Sequence, residues 1–393
     1  MKFRNIFLLF TVCSLVLLGA FSVAAIHEKK PLGDDEKTAV IELTSDVLRP
    51  GFAVPMIPFQ PKHYIVYRTD EPIEIDGRID EDAWAKAVWT DYFVDIEGHL
   101  KPSPRYHTRA KMLWDDDYFY FAAELEEPNV WATLTERNSV IFHDNNFEIF
   151  IDPNGDTHNY FEFEINAFET IWDLFLTRPY RDGTQVINQW NLLDYQAGVY
   201  IDGEINNPGV EDNKWTVEVA LPWSALQETA PGRRPPRHGE QWRVNFSRVQ
   251  WLLDVVDNEY QKRINPETGN AYPEDNWVWS PQGLVNMHYP EMWGFAQFSE
   301  NVVGEAEDEF EWNRDEEIKW ALRQVYYAQR NYRSEHGIFA DDFRKLNMAL
   351  LEIEGYDFNP TIEVTSNMYE AVAESFDGER TWHIRQDGRI WRQ

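Results

Sequence analysis

The sequence contains a single cysteine, Cys13. That excludes a disulfide framework and any zinc site built from several thiolates. Positive charge is scarce as well: 36 Lys and Arg stand against 68 Asp and Glu, a formal net charge of −32. A surface this acidic repels phosphate, so neither nucleic acid nor anionic lipid is expected as a partner. Beyond Ala25 no apolar run approaches membrane-spanning length. H-E-x-x-H, G-x-S-x-G and P-loop motifs are missing, and the ten His are scattered without zinc spacing. Aromatic residues, by contrast, are plentiful. The 17 Trp, 18 Tyr and 24 Phe exceed what a core usually needs, so some rings are expected to face a ligand.

Residues 1–25 read as an export signal: Lys2 and Arg4, then an apolar stretch from Phe7 to Val23, then small residues for cleavage near Ala24 or Ala25. The expected location is extracytoplasmic, with no membrane attachment after cleavage. An uncleaved anchor is the competing reading of the apolar stretch. Lipid attachment at Cys13 is disfavoured, because Val12 precedes it where a small residue is wanted. Residues 26–62 read as a linker punctuated by Pro31, Pro50, Pro55, Pro58 and Pro61.

From 63 to 300 the pattern alternates with period two, bounded by turn residues. In Tyr160–Asn166, Phe161, Phe163 and Ile165 share one face; Tyr160, Glu162, Glu164 and Asn166 share the other. The first face is expected to meet a core and the second solvent or a ligand. Turns fall at Asp115-Asp116-Asp117, Asp152-Pro153-Asn154-Gly155 and Asp202-Gly203. Many short strands without intervening helices predict an all-β fold, an antiparallel β-sandwich. Residues 305–393 form a small α+β appendage. A helix is predicted through Ile318, Leu322, Val325 and Tyr332, started by Asn313 with Glu316 and ended before Gly337. A second short helix is expected around Phe343, Leu346 and Leu350, followed by strands with a hairpin at Asp387-Gly388.

Four segments in order carry a resemblance. Pro72–Trp84 (PIEIDGRIDEDAW), Leu113–Tyr120 (LWDDDYFY), Asp144–Asp152 (DNNFEIFID) and the pair Trp279-Ser280-Pro281 with Trp293-Gly294 are similar to the landmarks of family 9 carbohydrate-binding modules. The resemblance spans roughly residues 65–299. It implies a jelly-roll-like sandwich that grips one or two sugar units between aromatic rings, with polar side chains reading the hydroxyls. The partner would be a mono-, oligo- or polysaccharide.

Carried over residue by residue, the resemblance places the strand carboxylate on Glu148 and an aromatic near Phe142, where a Trp is more usual. It places a basic position on Glu164, so that a cation becomes a carboxylate. The late amide falls on Asn286, and the second ring on His288 or its neighbours or on Trp293. The penultimate-strand polar residue falls on Ser247 or Arg248. Asn166, Trp172 and Trp279 complete the candidate set. Asp152, Asn154 and Asp156 have a D-x-N-x-D spacing that suits structural Ca²⁺, as some family 9 modules imply, or simply a hairpin turn. Two alternatives to a non-catalytic binding module stay open. One is hydrolysis of O-glycosyl bonds by paired carboxylates. The other is a haem-binding sandwich using Met287 and His288.

Overall fold

A computed structural model describes residues 53–393 apart from 189, 350 and 351. The predicted signal and the first part of the predicted linker lie outside the described residues. Alternating sequence becomes strand wherever the apolar parity can be buried. The strands are β1 (His63–Arg68), β2 (Val94–Asp95), β3 (Thr108–Trp114), β4 (Tyr118–Glu126), β5 (Asn146–Asp152), β6 (Tyr160–Asn166) and β7 (Ile171–Leu176). There follow β8 (Val186–Ile187), β9 (Gln196–Asp202), β10 (Lys214–Pro222), β11 (Gln241–Gln250) and the hairpin β12 (Leu253–Val256) and β13 (Glu259–Lys262). β14 (Asp275–Val278) and β15 (Gly294–Val302) close the region, and α1 (Asp82–Lys86) and α2 (Trp223–Leu226) are single turns.

The strands pair in the order β8-β7-β6-β5-β11-β15-β1-β3-β4-β10-β9, with β14 and β2 added beside β11. β1 joins the two halves. His63–Val66 pair with β15, the register breaks, and Tyr67 and Arg68 pair with β3. The path therefore folds over itself, and Phe147, Ile149, Phe161, Phe163 and Phe246 of one half meet Met112, Phe121, Val217 and Val219 of the other in a common core. This is the predicted β-sandwich. Trp84 and Trp114 are buried.

The second face of β6 departs from the expectation. Glu162 and Glu164 are buried, at 5% and 1% exposure. Behind them lies a further apolar layer of Ile141, Phe150, Tyr160, Met287 and Trp293, contributed by the strands and by the segments around 134–143 and 284–293. Loops cover a sheet face that alternation alone marks as open.

The C-terminal region is one long helix, α3 (Asp315–His336), on a four-stranded antiparallel sheet of β16 (Thr361–Val364), β17 (Tyr369–Glu374), β18 (Thr381–Arg385) and β19 (Ile390–Arg392). Asp315, Glu316 and Glu317 occupy the first turn, where the helix dipole favours negative charge. Gly337 takes φ +74°, and its N–H closes on the Arg333 carbonyl. Asn313 Oδ1 accepts the Asp315 N–H and its carbonyl the Glu316 N–H, but the Glu316 carboxylate does not reach back to Asn313; it pairs with Arg243 and Lys319. Of the second predicted helix, the described residues form the short 3₁₀ turn Phe343–Leu346, ending where Asn347 turns left-handed at φ +49°; Leu350 lies outside the described residues. The described end of the predicted linker is not a linker. Val54, Ile57 and Phe59 are buried with Ile318, Trp320 and Leu322, and Tyr289 and Met292 of the sandwich share that cluster. Arg323 Nη1 and Thr157 Oγ1 both donate to the Gly388 carbonyl, so the predicted hairpin is the point where the appendage docks.

Candidate functional site

Antiparallel register builds a polar row across the outer face of the sheet. Ser247 on β11, Glu148 on β5, Glu164 on β6 and Trp172 on β7 stand side by side. One pleat further on come Asn245, Phe150, Glu162 and Leu174. Asn146 Nδ2 donates to Glu148 Oε1 at 3.0 Å and to Glu164 Oε2 at 3.2 Å. Glu162 Oε2 is buried without a hydrogen-bond partner.

Aromatic groups stand at both ends of this row. Beside Glu164, the Trp172 ring lies 6.3 Å from that of Phe142, whose carbonyl is held by Trp251 Nε1 at 3.0 Å. At the other end Tyr160 Oη meets His288 Nδ1 at 2.9 Å, and Tyr180 sits edge-on to His288 at 4.4 Å. Burial and then the charges of Glu162 and Glu164 push the Tyr180 phenol up to about 12. Tyr180 is 46% exposed and forms part of the rim.

Three carboxylates this close, out of water, resist ionisation. Burial pushes Glu148 up to about 7, with Glu274 adding repulsion and Asn146 and Ser247 opposing it. Glu164 is raised well above its ordinary value by burial, then by Glu148 and Glu162; Glu162 is raised likewise by burial, then by Glu148. Burial and the nearby Arg181 hold His288 down to about 3, so it stays neutral and gives the acids no counter-charge. The row is rich in acceptors and, while it keeps protons, can donate as well.

The candidate residues do not all meet here. Phe142, Glu148, Glu164 and Trp172 share the row, and His288 borders its Tyr160 end. Arg248 points to the opposite face of β11, because pairing sets Ser247, not Arg248, beside Glu148. It forms a buried ion pair with Glu127 at 3.0 Å. Trp279 is 1% exposed in the core between the sheets, against Gly294 and Phe246. Trp293 is fully buried, packed on Phe150 and Tyr160 with its N–H on the Met287 carbonyl. Asn166 lies on the right face, yet its amide is spent on Leu134, Asp144, Phe168 and Thr170 to fix the β6–β7 turn. Asn286 caps the His288 N–H.

The D-x-N-x-D oxygens are engaged in hydrogen bonds of their own turn. Asp152 accepts the Gly155 and Thr157 N–H groups, Asn154 that of Asp156, and Asp156 that of His158 with Arg389 on its second oxygen. They tie a turn. Among the described residues no three His, Cys, Asp or Glu side chains converge on a metal position.

Residues 75–239 match the family model described as carbohydrate family 9 binding domain-like. Over those residues the chain is similar to that family. The chain is 26% identical over 154 residues to exoglucanase XynX of Acetivibrio thermocellus, covering 39% of this chain and 12% of that protein. It is 22% identical over 153 residues to endo-1,4-beta-xylanase A of Thermoanaerobacterium saccharolyticum, covering 39% and 11%. The chain thus spans about a tenth of the length of these curated relatives. A family 9 module from Caldicellulosiruptor kristjanssonii, solved with cellotriose, aligns at 14% identity and a TM-score of 0.38, covering 63% of this chain and 99% of that one.

Tyr160 and Glu162 stood on the face expected to meet solvent or a ligand without being singled out as site residues, and Tyr180 escaped the sequence reading. The alternation of Tyr160, Glu162 and Glu164 was the available signal for the first two. Tyr180 lies in an irregular loop and has none.

The acid row also sets a pH response. A carboxyl group whose folded pKa exceeds its unfolded one binds more protons when folded, so stability falls as pH rises through that interval. For Glu148 the interval runs from its ordinary 4.5 to about 7; Glu162 and Glu164 extend the loss upward. The midpoint of thermal unfolding is expected to drop steadily between pH 5 and pH 8. A flat or rising midpoint would show that the three groups ionise freely.

Proposed function

We propose that this chain is an exported carbohydrate-binding protein that takes a mono- or oligosaccharide end on the outer face of its family 9-like domain and serves carbohydrate breakdown. The observation that carries the reading is the buried row Glu148–Glu162–Glu164 with aromatic residues at either end. A pyranose has an apolar face of C–H groups and a rim of hydroxyls. Phe142 and Trp172 suit the first, and carboxylates with a free acceptor such as Glu162 Oε2 suit the second. A hydroxyl buried without a partner costs about 1–3 kcal/mol, so these groups would decide which sugar fits. The relatives named above, an exoglucanase and a xylanase, support a place in carbohydrate catabolism. Lys2, Arg4 and the apolar stretch after them support export.

Calorimetry across a panel of mono- and oligosaccharides tests this. Trp172→Ala is expected to weaken the preferred sugar by about ten-fold or more, the scale of losing one aromatic face. Undiminished binding by that variant would remove the row from the site. One observation favours a second reading, hydrolysis of O-glycosyl bonds. Glu148 and Glu164 are directly paired across β5 and β6 and both are hard to ionise, which is how a general acid is made. Release of reducing sugar by the purified protein, lost in Glu164→Gln, would select that reading; its absence would exclude it.

A further inference from the structure

A second cleft lies between the sandwich and the C-terminal sheet, away from the acid row. It encloses about 780 Å³, the size of a small-molecule site. Trp312, Trp382 and Trp391 line it, and all three are partly exposed. Two of the indoles are locked. Trp382 Nε1 donates to Asp315 at 2.9 Å and Trp312 Nε1 to Glu317 at 3.3 Å. Trp391 stacks on His383 at 5.2 Å. The N–H groups of Trp382 and Trp312 are thereby satisfied, and cations stand over the Trp382 ring, Lys319 at 5.1 Å and Arg392 at 5.8 Å.

Among the side chains that line the cleft cations outnumber anions, while Asp315 and Glu317 stand behind two of the rings. Four cations line the cleft, Arg243, Lys319, Arg389 and Arg392, against three anions, Asp156, Glu311 and Glu316. Glu316 is shared by Arg243 and Lys319, both at 2.7 Å, and so neutralises only one of them. Arg389 leans on Asp156 at 3.1 Å but keeps 40% of its side chain exposed. Arg392 is exposed and makes no ion pair among the described residues; its guanidinium stands 5.8 Å from the Trp382 ring. Gln241 and Asn313 add amides to the wall.

We infer that this cleft is a separate binding site for an acidic saccharide, one carrying a uronic-acid carboxylate. The Trp faces would cover sugar C–H groups, the amides would meet hydroxyls, and Arg392 with Arg389 would hold the carboxylate by charge-assisted hydrogen bonds. A neutral sugar would leave those cations without a partner, and the surface elsewhere repels anions, so the cleft selects acidic chains locally.

Calorimetry on the full-length protein, with trigalacturonic acid, a glucuronic-acid-bearing xylotriose and neutral cellotriose as probes, tests the assignment. At least one acidic probe should bind. Arg392→Gln, a change at an exposed side chain that leaves the fold's ion pairs intact, should weaken that probe by about ten-fold, the scale of one hydrogen bond to a charged group, while leaving cellotriose unaffected. Trp382→Phe should weaken it further without loss of the far-ultraviolet circular dichroism of the parent. The inference is overturned if neither acidic probe binds, if Arg392→Gln binds them as well as the parent, or if cellotriose suffers the same loss.

Discussion

Glu148→Ala is expected to lower affinity for the preferred sugar by about a hundred-fold while the protein at pH 8 unfolds at the same temperature as the parent or higher. The two signs come from one cause. The carboxylate is the centre of the acid row, and a hydroxyl bonded to it would contribute about 1.5–3 kcal/mol, since the acceptor carries charge, so one such bond near the upper end gives a loss of that size. In the free protein the same group is a burden. It is 4% exposed, and its charge raises the pKa of both Glu162 and Glu164. Removing it relieves that repulsion, and Asn146 keeps its bond to Glu164 at 3.2 Å. Against the relief stands the small cavity that alanine leaves, about 1 kcal/mol per lost methylene. Stability that suffers from a residue is stability given over to something else, and binding is the proposed use. Calorimetric titration and thermal melts on the same preparation check both signs together. If the melting temperature collapses along with binding, Glu148 is a structural residue, and its raised pKa is only a consequence of where it sits.

The sandwich was legible because period-two alternation reports directly on which parity of a strand is buried. Strands such as Tyr118–Glu126 and Lys214–Pro222 fall within a residue or two of the positions that alternation marks. Parity within one strand, however, says nothing about which parity of a distant strand lies beside it. Glu148 and Arg248 both alternate with apolar neighbours, and only the pairing of Ser247 with Glu148 sends Arg248 to the far side. Tryptophan is ambiguous for another reason: the same flat ring serves a core and a sugar face. Trp172, at 9% exposure, and Trp279, at 1%, are separated by what covers them: Phe142 of a loop beside the first, Phe246 and Gly294 of neighbouring strands against the second. The acidic outer face illustrates the same limit. Its carboxylates read as solvated until the segments at 134–143 and 284–293 close over them. The cleft beside Trp382 had no sequence signal, because its walls come from β11, the stretch before α3 and the last hairpin.

Arg248→Met should give the largest loss of stability. The guanidinium crosses from β11 to the ends of β3 and β4, donating to Glu127 at 3.0 Å, Thr108 Oγ1 at 2.9 Å and Gln250 Oε1 at 2.7 Å, with the Trp277 ring 5.1 Å away. Both partners of the ion pair are 1% exposed. Burial already raises Glu127 above its usual range in spite of Arg248. Without the cation it becomes a buried acid left with neutral partners, the Asn129 N–H and the Asn145 and Gln250 amides. A buried pair broken on one side costs about 3–5 kcal/mol, and denaturant titration at pH 7.5 should find that loss. Two further results separate the charge from mere packing. Glu127 in the variant folds best when protonated, so the deficit should shrink as pH falls toward 5, the direction set by a raised folded pKa. The double variant Glu127→Leu/Arg248→Met removes both charges and should recover most of the loss, because the desolvation cost of the pair nearly cancels its attraction. A double variant as unstable as the single one would mean that the arginine acts through its bonds to Thr108 and Gln250. The clamp between the sheets would then be one of neutral hydrogen bonds.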